Sequence, residues 1–484
     1  MNDATNPVPT QSAQTGPLNP DLIARFTAIV GDRYAITNSA EQEAYLVEMR
    51  DLYHGRTPLV LRPGSTAEVS AILKLANETR TPVVPQGGNT GLVGGQVPHE
   101  TGNEIVLSLG RLDRIREIDP VSNTMTCEAG VVLQRAQEAA AEADRLFPLS
   151  LGAEGSCTIG GNLSTNAGGT GALSYGIARD LALGLEVVLA DGRVLNGLSK
   201  VKKDNTGYDL KHLFIGAEGT LGIITAAVLK LFPRPRAVSV AFIGLKSPHE
   251  ALALLKLAQQ RAGAGVTSFE IMPRIGLEFV LRHAPGTRDP LSKTHPWYVV
   301  MELSSSTAGI EQAAEDILSQ AYERGLIEDA AVAATVEQGR AFMHLRHALS
   351  EVQRHEGGSI KDDVTVPVVL VPQFIDEAIA AAQDLVPGCR PVPFGHVGDG
   401  NVHFNVSQPP GADKAAFLSH WEEMNARIHA IVARMGGSIS AEHGIGRLKR
   451  HLLPQVKDPV AYALMQTLKQ TLDPNGILNP GKVL

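Results

Sequence analysis

The sequence predicts a multidomain protein of the α+β class, and three observations support this prediction. The chain has 484 residues, too many for one ordinary hydrophobic core, which indicates two or three domains. Residues 57–86 have the pattern of a strand, a helix and a second strand, the building block of an α/β sheet. Beyond residue 238 strands and helices alternate with fewer glycines, and the Pro-rich segment at residues 232–236 separates the two parts.

Composition excludes several classes of function. Against 51 Asp and Glu residues there are 43 Lys and Arg residues, so the net charge of −8 offers no electrostatic footprint for nucleic acid or an anionic membrane. No apolar run is long enough for a transmembrane segment, and the polar, Pro-rich residues 1–20 predict a loose tail. The scattered cysteines Cys127, Cys157 and Cys389 argue against a disulfide framework or a cysteine-ligated cluster. They favour a reducing compartment, and we expect the cytoplasm.

The helix of the strand–helix–strand unit has a clear start. Ser65 and Glu68 have the spacing of a capping box, in which each side chain binds the backbone amide of the other residue. Apolar residues then recur with helical spacing over residues 69–76. A helix is therefore expected between strands at residues 58–62 and 82–85.

Three glycine-rich loops lie in the first part of the chain, at residues 85–95, 152–169 and 216–225. Successive backbone amides in such a loop can form a concave site for a diphosphate. The glycine spacing in the first loop does not match the Rossmann fingerprint. One such loop alone is more often a structural turn, but three in one domain favour an extended diphosphate ligand held along the backbone.

A predicted hairpin at residues 393–405 carries two histidines. Asp399-Gly400 is a preferred two-residue hairpin turn, and it would place His396 directly opposite His403. Their Cβ atoms would then lie ~5 Å apart, with Asn405 on the same face, so both imidazoles could bind one cation. The alternative is a pair of surface histidines on a hairpin.

The segment at residues 438–446 supplies candidates to complete such a site. Glu442 and His443 are adjacent, and in an extended backbone they would point to opposite sides. The carboxylate can then complete a His-His-Glu metal site while the imidazole faces a substrate as a base.

A third group of candidates lies near a helix expected at residues 335–355. Arg346 and Ser350 are one turn apart on this helix, and Lys361 follows it. Arginine and serine side chains can bind a carboxylate. From the residues alone, a solvated Arg346 and a Lys361 paired with Asp362 or Asp363 are the simpler interpretation.

The glycine-rich loops resemble the flavin domain of the vanillyl-alcohol-oxidase-like family, which binds FAD without a Rossmann fold, and residues 203–210 (KDNTGYDL) extend the match. The resemblance implies an FAD-binding domain at residues 1–236, an α+β substrate-binding cap at 237–435 and a C-terminal segment, 436–484, that returns to the flavin. The first loop contains no histidine, so non-covalent FAD is expected. The residues that the resemblance implies for FAD binding are Pro85, Gly87, Gly88, Asn89, Thr90, Gly91, Gly94, Gly95, Gly155, Ser156, Gly160, Gly161, Asn162, Asn166, Gly168, Glu218, Gly219, Gly222, Ile223, Ile224 and Asn479.

From about residue 40 to residue 484 the chain resembles FAD-dependent D-2-hydroxy-acid dehydrogenases, in the branch of D-2-hydroxyglutarate, D-lactate and glycolate dehydrogenases. The strings at residues 395–405 and 441–446 carry this resemblance. It implies that zinc or another divalent metal is bound by His396, His403 and Glu442, and that His443 is the catalytic base. Substrate contacts are implied for Arg346, Ser350, Lys361 and Asn405. Ser350 stands where such relatives often carry threonine, and Asp362 where an aromatic residue is common.

The resemblance implies oxidation of a D-2-hydroxy acid to the 2-oxo acid by hydride transfer to flavin N5. D-2-Hydroxyglutarate and D-malate are the favoured substrates, and D-lactate is a further candidate. A separate acceptor, such as an electron-transfer flavoprotein, a quinone or a cytochrome, would take the electrons, and a homodimer is compatible with the sequence. The alternatives are a non-redox flavin enzyme of the alkyl-glycerone-phosphate synthase type, a metal-dependent hydrolase and a non-catalytic flavin-binding protein.

Overall fold

A computed structural model of the protein describes residues 18–484, so most of the predicted N-terminal tail lies outside the described residues. The elements up to residue 233 are α1 (Pro20–Val30), β1 (Ala35–Ile36), α2 (Ser39–Leu46), β2 (Val60–Leu61), α3 (Thr66–Thr79), β3 (Val83–Gln86), β4 (Ile105–Ser108), β5 (Ile115–Asp119), β6 (Thr124–Glu128), α4 (Leu133–Glu142), β7 (Arg145–Leu146), α5 (Ile159–Thr165), α6 (Ala172–Tyr175), α7 (Ala178–Leu181), β8 (Ala182–Val188), β9 (Val194–Gly197), α8 (Lys211–Phe214), β10 (Ile223–Lys230) and β11 (Phe232–Pro233).

The remaining elements begin immediately after the Pro-rich segment. They are β12 (Ala237–Leu245), α9 (Pro248–Ala262), β13 (Val266–Pro273), α10 (Arg274–His283), β14 (Trp297–Ser305), α11 (Ile310–Glu323), β15 (Asp329–Val332), α12 (Val336–Val352), β16 (Ser359–Thr365), α13 (Val371–Leu385), β17 (Arg390–His396), β18 (Asn401–Ser407), α14 (Lys414–Leu418), α15 (Trp421–Arg434), α16 (Leu453–Val456) and α17 (Pro459–Leu472). Among residues 18–484, none of these helices has the length and apolar character needed to cross a lipid bilayer.

The predicted strand–helix–strand unit is present as β2, α3 and β3. Ser65 Oγ accepts a hydrogen bond of 3.2 Å from the Glu68 amide, as a capping box requires. The expected reciprocal hydrogen bond, from the Ser65 amide to the Glu68 side chain, is not formed. Glu68 Oε2 accepts from the amide of Gly64 at 2.8 Å instead. The helix start was therefore predicted correctly, but only half of the capping box forms as expected.

Two main sheets organise the first part of the chain. A four-stranded sheet has the order β1-β2-β4-β3, in which β2, β4 and β3 run parallel. A five-stranded antiparallel sheet has the order β5-β6-β10-β8-β9. One hydrophobic core joins them, drawn from residues 18–231 together with Ile477 and Leu478 near the C-terminus.

The C-terminal segment returns to the first part through backbone pairing. The amide of Val83 donates to the carbonyl of Ile477, and the amide of Asn479 donates to the carbonyl of Val83, both at 2.8 Å. Residues 477–479 thereby lie beside β3, immediately before the first glycine-rich loop. This contact supports the proposed return of residues 436–484 to the flavin.

A seven-stranded sheet, β15-β12-β14-β13-β17-β18-β16, forms the second part, and all its neighbouring strands are antiparallel. Because side chains alternate along each strand, the sheet has two apolar faces. Helices α9, α11, α13 and α15 cover one face. Helices α10 and α12 cover the other, with the strand residues Phe242, Phe394 and Val392 packed beneath them. These two cores draw on residues 240–439, which supports the division proposed near residue 236.

Candidate active site

The histidine hairpin forms in a different register from the predicted one. Strands β17 and β18 pair Phe394 with His403 and His396 with Asn401, so the two histidines are diagonal rather than direct neighbours. The turn spans residues 397–400 instead of two residues. The expected two-residue turn needs a positive φ at both Asp399 and Gly400. Only Gly400, at φ 83°, has one. A shift of two residues keeps both side chains on one face, and their ring centroids lie 5.6 Å apart.

Glu270 positions His396 from the neighbouring strand. The two residues are paired across β13 and β17, and His396 Nδ1 lies 2.6 Å from Glu270 Oε1. Burial alone would raise the pKa of Glu270, but the charges of His396 and Arg346 lower it to about 2. Burial alone would lower the pKa of His396, but Glu270 and then Glu442 raise it to about 9. The Nδ1–H of His396 therefore donates to a carboxylate, and Nε2 faces Glu442 Oε1 at 3.7 Å.

Asp363 lies opposite His403 across β16 and β18, and its carboxylate contacts His403, Glu442 and His443. Its Oδ1 lies 3.4 Å from His403 Nδ1. Its Oδ2 accepts hydrogen bonds from the backbone amides of Glu442 at 2.8 Å and His443 at 3.1 Å. Burial opposes the charge on this carboxylate, but the imidazoles of His443 and His403 hold its pKa well below the usual range.

The segment that carries Glu442 and His443 is bent, not extended as predicted. An isolated bridge joins Ser438 to Thr365, and the backbone then turns around the Asp363 carboxylate. Glu442 Oε2 lies 4.0 Å from His403 Nε2, whereas His443 Nδ1 lies 3.6 Å from Asp363 Oδ2. The side chains of Glu442 and His443 have separate surroundings, as predicted. The cause is the pair of backbone hydrogen bonds to Asp363 and not the alternation of side chains along a strand.

His443 is neutral at physiological pH. Burial lowers the pKa of this imidazole to about 3, and the attraction of Asp363 only partly opposes that effect. The side chain is 21% exposed, and its ring stacks on that of His403 with centroids 6.3 Å apart. A neutral imidazole with one nitrogen facing a carboxylate and the other unengaged can accept a proton.

Two overlapping groups of side chains have donor atoms within 4.8 Å of one another, His396 with His403 and Glu442, and Asp363 with His403 and His443. The first group fits a divalent metal better, because Glu270 engages Nδ1 of His396 and leaves Nε2 free as a ligand. In the second group Asp363 already accepts from two backbone amides and from Asn401. The residues present thus fit the metal site that the sequence suggested.

The four expected substrate contacts have different surroundings. Arg346 is buried, not solvated, and its Nε lies 2.9 Å from Glu270 Oε2. Asn405 Nδ2 donates to Gln353 Oε1 at 2.7 Å, and Lys361 is the cross-strand neighbour of Asn405 on the face that carries His403. Ser350 is exposed on α12, so the structure does not bring it into the buried cluster.

Lys361 does not form the ion pairs that the simpler interpretation suggested. Asp362 faces the opposite side of β16, where its Oδ1 lies 3.0 Å from His429 Nε2. Asp363 binds the backbone of the 438–446 segment. Within residues 18–484, no carboxylate lies within ion-pair distance of Lys361 Nζ.

The first and second glycine-rich loops pack against each other. A Cβ on Gly88 would overlap the carbonyl oxygen of Ser156, so only glycine permits this approach. The second loop also reaches the histidine cluster, because a Cβ on Gly168 would lie 2.9 Å from Glu442 Oε1. A ligand held by these loops would therefore lie beside the candidate metal site.

The third loop and the C-terminal segment complete this arrangement. Asn479 Nδ2 donates to the carbonyls of Gly95 at 3.0 Å and Glu218 at 2.8 Å, which joins the first and third loops. The two side-chain oxygens of Glu218 accept hydrogen bonds from the amides of Ile445 at 2.7 Å and Gly446 at 2.9 Å, which joins the third loop to the segment after His443. The matched stretch at 203–210 is exposed throughout, outside any buried site.

Two family models match the chain. The model described as an FAD binding domain matches residues 57–197, and the model described as the C-terminal domain of FAD linked oxidases matches residues 234–483. A D-2-hydroxyglutarate dehydrogenase of Rattus norvegicus is 39% identical, over 98% of this chain and 87% of the relative. The enzyme of that name from Arabidopsis thaliana is 37% identical, over 96% of this chain and 81% of the relative. The chain belongs to the family of FAD-dependent D-2-hydroxy-acid dehydrogenases.

Solved structures confirm the vanillyl-alcohol-oxidase-like fold of this dehydrogenase. The p-cresol methylhydroxylase with bound substrate superimposes with a TM-score of 0.75 at 16% identity, over 96% of each chain. An alkyldihydroxyacetonephosphate synthase superimposes with a TM-score of 0.74 at 16% identity, over 98% of this chain and 88% of the other. At such identities the likeness shows the fold and does not favour the non-redox alternative.

The residues of the dehydrogenase fit FAD. Three loops with closely packed glycines meet beside the histidine cluster, and Oδ1 atoms of Asn89 and Asn479 are buried there without a hydrogen-bond partner in the described chain. Such orphaned acceptors are costly unless a ligand or water binds them. Two predicted FAD contacts, Ile223 and Ile224, are core residues of β10.

The expected cytoplasmic location is wrong. The rat and Arabidopsis relatives of the dehydrogenase are named as mitochondrial proteins. The expectation rested on scattered cysteines, and a shortage of disulfides cannot distinguish one reducing compartment from another. The cysteines themselves are free and buried, as expected.

Two acidic residues of the dehydrogenase site were missed from the sequence. Glu270 is the charged residue in the otherwise uncharged buried strand β13, and such a residue is a recognisable signal for a functional partner. From the sequence, Asp363 suggests only a counter-ion for Lys361. Its role depends on the pairing of β16 with β18, which no local pattern reveals.

Proposed function

We propose that this dehydrogenase oxidises a D-2-hydroxy acid to the 2-oxo acid with non-covalent FAD and a divalent metal, zinc or another. The metal would be held by His396, His403 and Glu442. The observation that carries the proposal is the shared carboxylate of Asp363, which lies beside one ligand, His403, and beside the candidate base, His443. Gly168 places the second glycine-rich loop against the same cluster.

In this proposal His443 and Asp363 have different roles in the reaction. When bound, FAD would supply the two-electron acceptor for the hydride of C2, and a divalent metal held by His396, His403 and Glu442 would polarise the neighbouring hydroxyl. His443 Nε2 accepts the hydroxyl proton, because Nδ1 faces Asp363 and no group within residues 18–484 forms a hydrogen bond with Nε2. The Asp363 carboxylate then stabilises the imidazolium and holds the backbone of the base in place.

Dicarboxylic 2-hydroxy acids, D-2-hydroxyglutarate or D-malate, are the favoured substrates in this proposal, and D-lactate is a further candidate. Support comes from Lys361, a cation beside Asn405 without a carboxylate partner in the described residues. The three cysteines are free, buried and widely spaced in the sequence, so electrons would leave FAD for a separate acceptor, an electron-transfer flavoprotein, a quinone or a cytochrome.

The test is anaerobic mixing of the FAD-loaded enzyme with D- and L-2-hydroxy acids. We expect D-acids to bleach the flavin band in the wild type, and His443→Ala to lose this reduction by roughly 100-fold or more while it retains FAD. His344→Ala, which changes an exposed histidine of α12, is the matched control and should reduce normally. Undiminished bleaching in His443→Ala would refute the assignment of the base. No bleaching of the wild type by any D-acid would favour a non-redox flavin enzyme.

A further inference from the structure

A buried lysine closes the backbone segment that carries Glu442 and His443, the base segment (residues 439–449). Lys449 Nζ donates a hydrogen bond of 2.5 Å to the carbonyl oxygen of Ile439. The backbone amide of Lys449 also donates to the carbonyl of Ile445 at 3.0 Å. The last residue of the base segment is therefore bound both to its first residue and to its middle.

The two ends of the base segment belong to different parts of the molecule. Ile439 is 4% exposed and packs in the core of the cap. At the other end, the amides of Arg447 and Leu448 both donate to the carbonyl of Val93 in the first glycine-rich loop, at 2.9 and 3.2 Å. The Lys449 side chain thus joins the flavin side of the base segment to its start on the cap.

Other contacts hold the base segment at single turns of its backbone. Asp363 on β16 accepts hydrogen bonds from the amides of residues 442–443, and Glu218 in the third glycine-rich loop accepts from those of residues 445–446. Neither carboxylate connects the two ends. Within residues 18–484, the hydrogen bond from Lys449 is the direct connection between positions 439 and 449.

Lys449 is an unusual cation for so buried a position. It is 7% exposed, and no carboxylate of the described chain lies within ion-pair distance of its Nζ, whereas the buried Lys482 pairs with Glu104 at 3.4 Å. Burial lowers the pKa of Lys449, and the charges of Asp363 and Asp362 oppose that effect. A buried ammonium group destabilises the fold unless its contacts compensate it, so the bond to a backbone carbonyl is the feature that a lysine supplies here.

The base segment has to keep two side chains in place at once. Glu442 Oε1 lies 3.7 Å from His396 Nε2, and Glu442 Oε2 lies 4.0 Å from His403 Nε2. His443 Nδ1 lies 3.6 Å from Asp363 Oδ2. A misplacement of ~1 Å at a reacting group can lower a rate about 100-fold, so the shape of this segment matters for both side chains.

We propose that Lys449 is a positioning residue for the reaction, because its ammonium group closes the base segment and so keeps Glu442 beside the β17–β18 hairpin and His443 beside Asp363. This inference rests on the proposed function, in which Glu442 is a metal ligand and His443 is the base. Lys449 acts through the backbone and is too buried to be a substrate contact.

Flavin reduction in the FAD-loaded, metal-saturated enzyme is the first test. Lys449→Met should slow the limiting rate with D-2-hydroxyglutarate roughly 10- to 100-fold, while the Kd of the substrate stays within about 3-fold. Lys449→Arg, which keeps a cationic donor, should recover part of the rate.

Arg390→Met is the matched control for a purely structural loss. The Arg390 guanidinium also binds backbone carbonyls, those of Gln408 and Glu356, both at 2.8 Å, at the end of β17 remote from His396. This variant should be less stable to denaturant but should reduce its flavin at the normal rate. Equal slowing in Arg390→Met and Lys449→Met, or no slowing in Lys449→Met, would overturn the inference.

Metal affinity separates this inference from the proposed function, because competition with a chromophoric chelator needs no turnover. Lys449→Met should bind Zn²⁺ about 10-fold more weakly than the wild type, since Glu442 is displaced, and Arg390→Met should not. If no D-acid reduces the wild type but Lys449→Met alone binds Zn²⁺ more weakly, the proposed function fails and the positioning of Glu442 stands. Equal affinity in all three proteins overturns the inference. If Lys449→Met does not fold, Lys449→Gln, which is neutral and one bond shorter, is judged by the same outcomes.

Discussion

Asp363 Oδ2 accepts a hydrogen bond of 3.1 Å from the backbone amide of His443. A carboxylate on β16 of the cap therefore fixes the backbone of the candidate base. The same oxygen binds the amide of Glu442 at 2.8 Å. One buried side chain thereby fixes the relative positions of a candidate metal ligand and the base. This relationship leads directly to the first prediction.

Asp363→Asn should lower the rate of anaerobic flavin reduction by roughly 10- to 100-fold with FAD still bound. The asparagine side chain has the same shape, but its NH₂ group is a donor and cannot accept the hydrogen bonds from the backbone amides of Glu442 and His443. The neutral side chain also stabilises a protonated His443 less than a carboxylate does. Stopped-flow reduction at saturating substrate measures the effect. Asp362→Asn is a matched control, since its side chain binds His429 on the other face of β16. Equal rates in Asp363→Asn and wild type would contradict the positioning role.

Glu270→Gln should weaken metal binding by roughly 10- to 100-fold, because the carboxylate orients His396 through Nδ1. It should also lower the free energy of unfolding by about 3–5 kcal/mol, because Arg346 is left as an uncompensated buried charge. Competition with a chromophoric chelator measures the first effect, and denaturant unfolding the second. Glu302→Gln, in β14 of the same sheet, is the control, and comparable metal affinity in both variants would disprove the orienting role.

Glu218 should give the reaction a pH dependence. Burial raises the pKa of this carboxyl to about 7, although the amides of Ile445 and Gly446 oppose that effect. The charged form accepts from both amides, and protonation below this pH removes one acceptor. The rate of flavin reduction should therefore fall as the pH decreases through about 7. Glu218→Gln should be slower at high pH and lack this step in its pH profile, whereas an unchanged step would assign it to another group.

Sequence patterns predicted the fold and the composition of the site better than its geometry. The helix near residues 335–355 is present as α12 with one further 3₁₀ turn, since its periodicity is local. The hairpin was placed correctly, but its register was not, because Asp399 lacks the positive φ of a two-residue turn. Local patterns describe an element, whereas register depends on the turn and on both neighbouring strands.

The partners that cross strands or domains were beyond the reach of the sequence. Glu270 and His396 are 126 positions apart, and Glu218 and Gly446 are 228 positions apart. Glu218 is predicted to contact FAD, and the hydrogen bonds from its carboxylate to the segment after His443 could not be foreseen from the sequence.

Removal of the metal tests the central claim most directly. The FAD-loaded enzyme would be treated with a chelator until no metal remains by elemental analysis, and mixed anaerobically with D-2-hydroxyglutarate. The geometry of His396, His403 and Glu442 predicts that FAD stays bound, that flavin reduction slows by roughly 100-fold or more, and that one equivalent of Zn²⁺ or another divalent metal restores it. Flavin reduction at the full rate in the metal-free enzyme would contradict the account.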